Sequence, residues 1–198
     1  HGAFQPVLDE YLKNEIARGK WIYVPYSHAL SISNFTRAVK SDGKIRPCVA
    51  VVRLNKITET VPMHFQSVAD VLAQLDPTHL VFFTGDAYGG FNTMRLTEFA
   101  QRHLCLWDGH GKVVMPLVAP FGPKNIPAQF KLFMEHALGD LLASTVLQYV
   151  DDTHSGASDW DKLLDNLEET VKRLVANRIY FNFRKFYIGT RVPLLGRI

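Results

Sequence analysis

The sequence predicts an α+β fold in which helices pack on one face of a mostly antiparallel sheet. Short, strand-like apolar runs alternate along the chain with segments whose apolar residues recur at helical spacing. Several neighbouring strands are joined by tight hairpin turns, among them 41–44 and 108–111. Strands joined in this way are antiparallel, and the interspersed helices are then expected to cover one face of their sheet.

The composition limits the classes of protein to consider. The chain has 198 residues, 47% hydrophobic and 21% charged, which is typical of one globular domain or two small ones with a buried core. Cys48 and Cys105 are expected to be free thiols, and the histidines lack zinc-site spacing. The formal net charge of +3 permits a nucleic-acid partner without requiring one. The longest apolar runs, such as 80–83, are too short to cross a membrane.

The first half of the chain is expected to hold two helices among several strands. Apolar residues recur at helical spacing over 7–18, and Gly19 is typical of a helix end. The turn 41–44 joins two strand-like runs into a hairpin. A short amphipathic helix is expected over 67–75. The strands are expected at 21–25, 31–39, 45–54 and 80–83.

The second half alternates hairpins with two longer helices. Pro127 occupies a tolerated first helical position and begins a helix that runs to about residue 142. Ser158 and Asp161 have the spacing of a capping box, and the apolar residues of the helix that follows share one face. A helix or turn is expected at 89–96. The remaining strands are expected at 104–107, 113–118, 145–150, 179–183 and 191–195.

Two apolar strands end in carboxylates, which are the candidate metal ligands. One strand ends at Asp86, and another brings Asp151 and Asp152 to a tight turn. Adjacent carboxylates repel each other unless a cation lies between them, and hard oxygen ligands suit Mg²⁺. If the two strands are neighbours in one sheet, their tips meet and can hold two metal ions for in-line phosphoryl transfer. The alternative is that the Asp-Asp pair only marks a surface turn.

Six motifs follow one another along nearly the whole chain. They are Asp42-Gly43-Lys44-Ile45-Arg46-Pro47-Cys48-Val49 with 53–58, Asp86-Ala87-Tyr88-Gly89-Gly90-Phe91, the proline-rich box 120–130, Tyr149-Val150-Asp151-Asp152, Phe183-Arg184-Lys185-Phe186 and Leu194-Leu195-Gly196. In this order they resemble the fingers and palm of gypsy-class LTR retrotransposon reverse transcriptases, including the Y-x-D-D and P-F-G-x-x-N-x-P-x-x-F boxes. The resemblance implies an RNA-directed DNA polymerase that uses two Mg²⁺ ions, with Mn²⁺ as a substitute.

The resemblance also implies roles for single residues. Asp86, Asp151 and Asp152 would hold the metal ions, and Lys185 would donate a proton to pyrophosphate. At the incoming nucleotide, Arg46 would contact the triphosphate, with Lys44 or Lys40 as a helper. Phe91 would exclude a 2′-hydroxyl by its bulk. Ala87, Phe121 and Gly122 would also lie at the nucleotide. The turn Leu194-Leu195-Gly196 would grip the primer. The residues alone also allow structural explanations without a functional role. Arg46 could be an exposed strand residue, Phe91 could pack in the core, and Lys185 could be an ordinary surface lysine.

The same resemblance predicts a domain division, partners and a location. Fingers are expected over 1–79 and 104–143 and palm over 80–103 and 144–198, with thumb, connection and RNase H regions absent. The expected partners are a primer–template nucleic acid and deoxynucleoside triphosphates, with a second copy or polyprotein domains as further partners and no membrane. The expected location is intracellular, in the cytoplasm, the nucleus or a virus-like particle.

Three segments depart from the pattern of that family. Residues 50–52 are apolar where the family has an acid, an aromatic and an arginine, and Gly85 stands where a large apolar residue is usual. The polar, flexible segment 153–156 follows the Asp-Asp pair where the family has an apolar strand. The departures motivate a second hypothesis, a retroelement-derived noncatalytic binding module that keeps the fold. A palm-fold cyclase is a weaker third hypothesis, because cyclases do not resemble the box 120–130.

Overall fold

The computed structural model describes residues 4–39, 43–63 and 66–194. Over these residues the helices are α1 (Gln5–Ala17), α2 (Val52–Ile57), α3 (Val68–Leu72), α4 (Glu98–His103), α5 (Ile126–Leu138) and α6 (Trp160–Ala176). The strands are β1 (Trp21–Val24), β2 (Ile32–Val39), β3 (Ile45–Ala50), β4 (Val81–Asp86), β5 (Cys105–Trp107), β6 (Val113–Pro116), β7 (Val146–Tyr149), β8 (Asp152–Ala157) and β9 (Tyr187–Gly189). None of the helices in this part of the chain has the length and apolar character needed to cross a membrane.

The chain divides into two compact units, each with its own sheet. Unit 1 comprises 1–61 and 91–126, and unit 2 comprises 62–90 and 127–198. The sheet of unit 1 has the order β1-β6-β5-β2-β3, and that of unit 2 has the order β7-β8-β4-β9. All pairings are antiparallel except the parallel pair β2–β5. The predicted mostly antiparallel α+β architecture is therefore present as two sheets and not as one.

Helix α1 covers the core of unit 1. A proline stands in its first turn, and Gly19, with a φ of +68°, follows the end of the helix. Leu8 and Leu12 are nearly fully buried and pack with Trp21 and Leu106 of the sheet. Because these two leucines are four residues apart, they lie on the same face of the helix.

Helix α6 packs against β8 and β4 of the unit 2 sheet. Its buried residues are Leu163, Thr170 and Leu174. Three other apolar residues that the sequence pattern places on the same face, Leu164, Val171 and Val175, are exposed, so the predicted face is only partly buried. The helix begins after Asp159, whose side chain accepts a hydrogen bond from Lys162 N at 3.0 Å. The N-cap is thus Asp159 and not Ser158, so the predicted capping box was wrong by one residue.

Two predicted strands end differently in the structure, and a third, predicted at 191–195, is wrong, because the last strand is β9 and the described residues 191–194 form no strand. Strand β3 ends at Ala50 and α2 replaces the predicted continuation, where Asn55 bonds Gly122 O at 3.0 Å through its side-chain amide. The predicted strand 179–183 contains only an isolated bridge between Phe181 and Ala87. A 3₁₀ turn at Phe183–Lys185 follows that bridge. Tertiary hydrogen bonds, which the local pattern does not reveal, decide both outcomes.

The division into fingers and palm stays a prediction. The two compact units are split at 61/62, 90/91 and 126/127, whereas the resemblance sets the domain boundaries at 79/80, 103/104 and 143/144. The first residue of the motif 42–49 and the last two residues of the motif 194–196 lie outside the described residues, as does Lys40.

Candidate metal centre

The candidate metal centre lies where two antiparallel strand pairs of unit 2 end. Strand β4 pairs with β8 so that Asp86 lies directly opposite Asp152. Strand β7 pairs with β8 through Tyr149 and Asp152, which leaves Val150 and Asp151 as a two-residue turn. The predicted meeting of the two strand tips in one sheet is confirmed by this register.

The turn between β7 and β8 has an unusual backbone conformation. Val150 has a φ of 57°, a left-handed value that a β-branched residue rarely adopts. Gln148 Nε2 donates to Val150 O at 3.0 Å, and Ala87 N donates to Asp151 O at 3.0 Å. These bonds hold the strained turn so that the Asp151 carboxylate remains beside the end of β4.

The three carboxylates form a compact cluster. One ligand oxygen from each of Asp86, Asp151 and Asp152 lies within 4.8 Å of the others, and all three residues are partly buried. Carboxylate oxygens at this spacing are the donor set that Mg²⁺ or another hard divalent cation binds. The site therefore fits a divalent metal ion.

The electrostatics of the cluster favour a cation. Burial, followed by the charges of Asp151 and Asp86, raises the pKa of Asp152 to about 6. Burial and the nearby charge of Asp86 also raise the pKa of Asp151. Both shifts show that the ionised carboxylates are disfavoured together, and a divalent cation between them removes that cost.

Lys185 is the one basic residue of the described chain that forms an ion pair with the cluster. Its Nζ lies 3.1 Å from Asp86 Oδ2, while its side chain remains 62% exposed. The hydrogen bond to Asp86 raises the pKa of Lys185, so the amine keeps its proton. This placement leaves a charged N–H group at the cluster that is open to solvent.

Asn182 joins Lys185 to the cluster, and the sequence motifs did not single it out. Its backbone N donates to Asp86 O at 2.8 Å, and its Nδ2 lies 3.5 Å from Asp86 Oδ2. Its side-chain oxygen accepts from Arg184 N and caps the 3₁₀ turn that contains Lys185. Asn is among the preferred N-cap residues, so the residue type at 182 was a signal available in the sequence.

Two phenylalanine rings occupy the space beside Gly85. A Cβ atom at this position would lie 2.6 Å from Phe181 Cδ1 and 3.0 Å from Phe186 Cδ2. The rings of Phe181 and Phe186 pack on each other at 5.4 Å and on Phe83 at 6.4 and 6.0 Å. The two rings thus fill the space that a side chain at residue 85 would need, which accounts for the glycine at this position.

The segment after the Asp-Asp pair is a strand. Residues 153–155 belong to β8 and are buried, although the sequence indicated a polar, flexible segment. Pairing with β4 on one side and β7 on the other imposes this structure. Only part of the polarity is satisfied, because Ser155 Oγ donates to Thr145 O at 2.6 Å whereas Thr153 Oγ1 and both ring nitrogens of His154 have no partner.

The side chains predicted at the nucleotide lie mostly in unit 1. Arg46 has its guanidinium carbon 5.3 Å from the ring centroid of Phe121, and the ring of Phe91 lies 5.1 Å from that of Phe121. Gly122 has a φ of +132°, and a Cβ there would lie 2.7 Å from Val49 O, so the backbone approaches β3 closely. These side chains form one group within unit 1.

The other predicted site residues are placed as follows. Lys44 is exposed in unit 1, and Ala87 is buried in unit 2 next to the cluster. Leu194 is partly buried, and it lines a cavity of about 670 Å³ in unit 2. Leu195 and Gly196 lie outside the described residues.

Comparison with known proteins gives a family and a fold. Residues 38–197 match the family described as "Reverse transcriptase (RNA-dependent DNA polymerase)". The chain is 26% identical over 198 residues to the "Retrovirus-related Pol polyprotein from transposon opus" of Drosophila melanogaster, and it covers 100% of its own length but 19% of that relative.

Two solved structures of a foamy viral protease-reverse transcriptase share the fold. The complex of its dRH form with double-stranded DNA has a TM-score of 0.86 and 22% identity, with 96% of this chain and 33% of that chain covered. The complex with an RNA/DNA hybrid has a TM-score of 0.86 and 21% identity, with 99% and 26% covered. The overall arrangement of helices and antiparallel sheets predicted from the sequence is confirmed by this likeness.

Proposed function

Because this chain belongs to the reverse transcriptase (RNA-dependent DNA polymerase) family, we propose that it is the fingers and palm region of a polymerase that adds deoxynucleotides to a primer. The observation that carries the proposal is the cluster of three carboxylates whose ligand oxygens lie within 4.8 Å of one another. A retroelement origin agrees with the similarity to a transposon Pol polyprotein. The gypsy class is proposed on the motifs alone.

The three carboxylates would hold two Mg²⁺ ions in this proposal. When bound, such ions activate the primer 3′-hydroxyl and neutralise the charge of the triphosphate. Asp86 and Asp151 would be the principal ligands, and Asp152 is the adjacent acid. Lys185 keeps a proton on Nζ beside Asp86 and would donate it to the leaving pyrophosphate. Asn182 would hold the turn that carries this lysine.

The nucleotide would be bound by the group around Phe121. A guanidinium such as that of Arg46 matches the geometry of phosphate oxygens, and Lys44 would assist it. Phe91 would exclude a ribose 2′-hydroxyl by its bulk. Gly122 would allow the backbone to approach the base closely. Ala87 would lie at the nucleotide, and Leu194-Leu195-Gly196 would hold the primer.

The proposed partners are a primer–template duplex and deoxynucleoside triphosphates. The similar foamy viral enzyme has been solved with double-stranded DNA and with an RNA/DNA hybrid. The chain covers 19% of the transposon Pol polyprotein, and polyprotein domains are therefore further candidate partners. An intracellular site of action, in a virus-like particle where the element is intact, follows from the same proposal.

Primer extension on a poly(rA)·oligo(dT) substrate tests the catalytic role. Asp151→Asn keeps the size of the side chain but removes its charge, so extension is expected to fall by about 100-fold or more, as for a misplaced catalytic group. Asp165→Asn on the exposed side of α6 is the matched control and should extend normally. If the unaltered chain extends the primer no better than Asp151→Asn, the catalytic proposal fails.

Calorimetric titration with Mn²⁺ tests the metal site without relying on activity. The unaltered chain is expected to bind the ion, and Asp86→Asn and Asp151→Asn should lose most of the heat because each removes one charged ligand. Asp165→Asn should titrate like the unaltered chain. Equal titrations of all four proteins would refute a carboxylate-held metal.

A noncatalytic binding module is the second candidate function. It is favoured by the buried polar groups of β8, because Thr153 and His154 leave three polar atoms without a partner directly behind the Asp-Asp turn. A less stable strand at this place would position the carboxylates less accurately. A chain that shows no carboxylate-dependent Mn²⁺ binding and no extension, yet remains folded, would match this alternative.

A further inference from the structure

Unit 1 carries an aromatic surface that the proposed catalytic and nucleotide-binding residues do not use. Tyr26 and Trp107 stack with their ring centroids 6.0 Å apart and their planes at 21°. Tyr23 on β1 lies nearby, and Lys112 Nζ lies 5.6 Å from the centroid of its ring. These four side chains line a groove of about 480 Å³, here called the aromatic groove.

One ring of the stacked pair is packed against the core, and the other is open to solvent. Trp107 packs against the buried cluster of Cys105, Val113 and Met115, which fixes one side of its ring. Tyr26 is 70% exposed, so the outer face of the stacked pair is free of protein contacts over most of its area. Because Trp107 is already packed, stacking of a further flat group on this pair costs less side-chain entropy than stacking on two free rings.

The charge around the aromatic groove favours an anionic partner. The segments of unit 1 contain 13 Lys and Arg against 7 Asp and Glu, a formal net charge of +6. Two acids lie close enough to act on Tyr23, Asp108 and Asp9. Asp108 is 2% exposed and accepts the backbone N–H groups of His110 and Lys112 at 2.8 and 3.0 Å, and Asp9 bonds His110 Nε2 at 3.0 Å. In the described part of the chain the Lys112 ammonium forms no ion pair, so it is available to a phosphate.

We propose that the aromatic groove binds single-stranded nucleic acid, with a base stacked on Tyr26 and Trp107 and a phosphate on Lys112. Exposed aromatic faces beside cationic side chains are the usual means of binding single strands without sequence preference. The volume of the groove lies within the roughly 300–1,000 Å³ of small-ligand sites. Binding of a single strand in the aromatic groove does not depend on the proposed function. Only the identification of that strand as the unpaired template rests on it.

Binding of short oligonucleotides, measured by fluorescence anisotropy with divalent metal chelated, tests the site apart from polymerisation. Labelled (rU)₄ and (dT)₄ are expected to bind Tyr26→Ala and Trp107→Leu about 10-fold more weakly than the unaltered chain, as for loss of one stacked base. Lys112→Gln should reduce the slope of log K against log salt concentration by about 1, as for the loss of one phosphate contact. Trp160 and Lys162, both exposed on α6, provide the controls Trp160→Leu and Lys162→Gln.

Photocrosslinking locates the bound strand. An oligonucleotide with one 4-thiouridine should crosslink to a peptide that contains Tyr26 or Trp107, as identified by mass spectrometry, and Tyr26→Ala should lose the product. Unchanged affinity and crosslinking in both aromatic variants, or binding of decaproline to the groove in place of the oligonucleotide, would overturn the assignment. Failure of the polymerase proposal would instead abolish primer extension and leave these readouts unchanged.

Discussion

At the scale of single residues, the metal centre is accompanied by local features that are unfavourable on their own. Val150 has a φ of 57°, Thr153 has a buried hydroxyl without a partner, and Gly85 adds no side chain to the core. Such costs are common at functional sites, where position matters more than local stability. Two of them can be tested by single substitutions.

Replacing Thr153 by Val is expected to stabilise the protein. Thr153 is 1% exposed and its Oγ1 has no partner, so an apolar side chain of the same shape should raise the free energy of unfolding by about 1 kcal/mol. Urea denaturation followed by circular dichroism measures the change. The control is Thr170→Val, where the buried hydroxyl bonds Asn166 O at 2.6 Å and its loss should not stabilise. A stabilisation of equal size in both variants would contradict the explanation.

Replacing Gly85 by Ala is expected to disturb the ring pair and the adjacent Asp86. The added Cβ would lie 2.6 Å from the ring of Phe181, and overpacking of this kind costs about 1–3 kcal/mol. Urea denaturation measures the loss, and Mn²⁺ titration should show weaker binding. Gly189→Ala in the neighbouring β9 is the control, since its nearest contact would be 3.6 Å. The double variant with Phe181→Leu should recover part of the loss, and a double variant with additive losses would argue against direct packing.

At the scale of elements, the three longer helices α1, α5 and α6 lie where the sequence pattern predicts them, whereas the short helices α2 and α4 and several strand ends do not. The pattern locates α6, although Leu164, Val171 and Val175 of its predicted face are exposed. The end of β3 and the segment 179–183 depend on bonds made by Asn55 and Asn182 to distant residues. A helix satisfies its backbone within itself, and a strand does not. The start of α6 is nevertheless set by one side chain, which can be tested.

Replacing Asp159 by Ala is expected to lower the melting temperature more than Ser158→Ala does. Asp159 caps α6 by accepting from Lys162 N. Ser158 Oγ donates to Asp159 Oδ2 and accepts from Lys162 Nζ at 3.2 Å, but it bonds no backbone N–H of the helix. The hydrogen bond from Lys162 N holds the pKa of Asp159 below its ordinary 3.8, so the stabilisation is present above pH 3.8. It should disappear as the pH falls through the lowered pKa. Thermal melts at pH 7 and in acid measure both effects. An equal drop in melting temperature for Ser158→Ala would support the predicted capping box at Ser158 instead.

At the scale of the whole molecule, the two units differ in charge. Unit 1 has a formal net charge of +6, while unit 2 contains 9 Lys and Arg against 12 Asp and Glu, or −3. The overall +3 therefore hides a basic unit and an acidic one. A basic unit suits phosphate backbones, and an acidic one with clustered carboxylates suits cations.

Hydrogen exchange should show that a metal ion acts on unit 2 alone. Mn²⁺ binds only the folded carboxylate cluster, so it should slow exchange in β4, β7 and β8, which supply and support the ligands. The five strands of unit 1 should exchange at unchanged rates. Asp151→Asn is the control and should show no slowing in either unit. Equal slowing in both units would contradict a site confined to unit 2.

The sequence by itself determined much of this protein. The order of motifs predicted the family, and apolar strands ending in acids predicted the cluster of Asp86, Asp151 and Asp152. The place of α6 and the α+β class followed from periodicity. These features are local or repeated in order along the chain, and the chain alone therefore suffices to read them.

Only the tertiary structure decided the rest. It set the pairing register that brings Asp86 opposite Asp152, made a strand of the polar 153–156, and filled the space at Gly85 with Phe181 and Phe186. It also revealed Asn182 and the aromatic groove, whose members come from separate strands and turns. The physical reason is that each of these depends on contacts between residues far apart in the chain, and their energies arise only once the sheets and helices have packed.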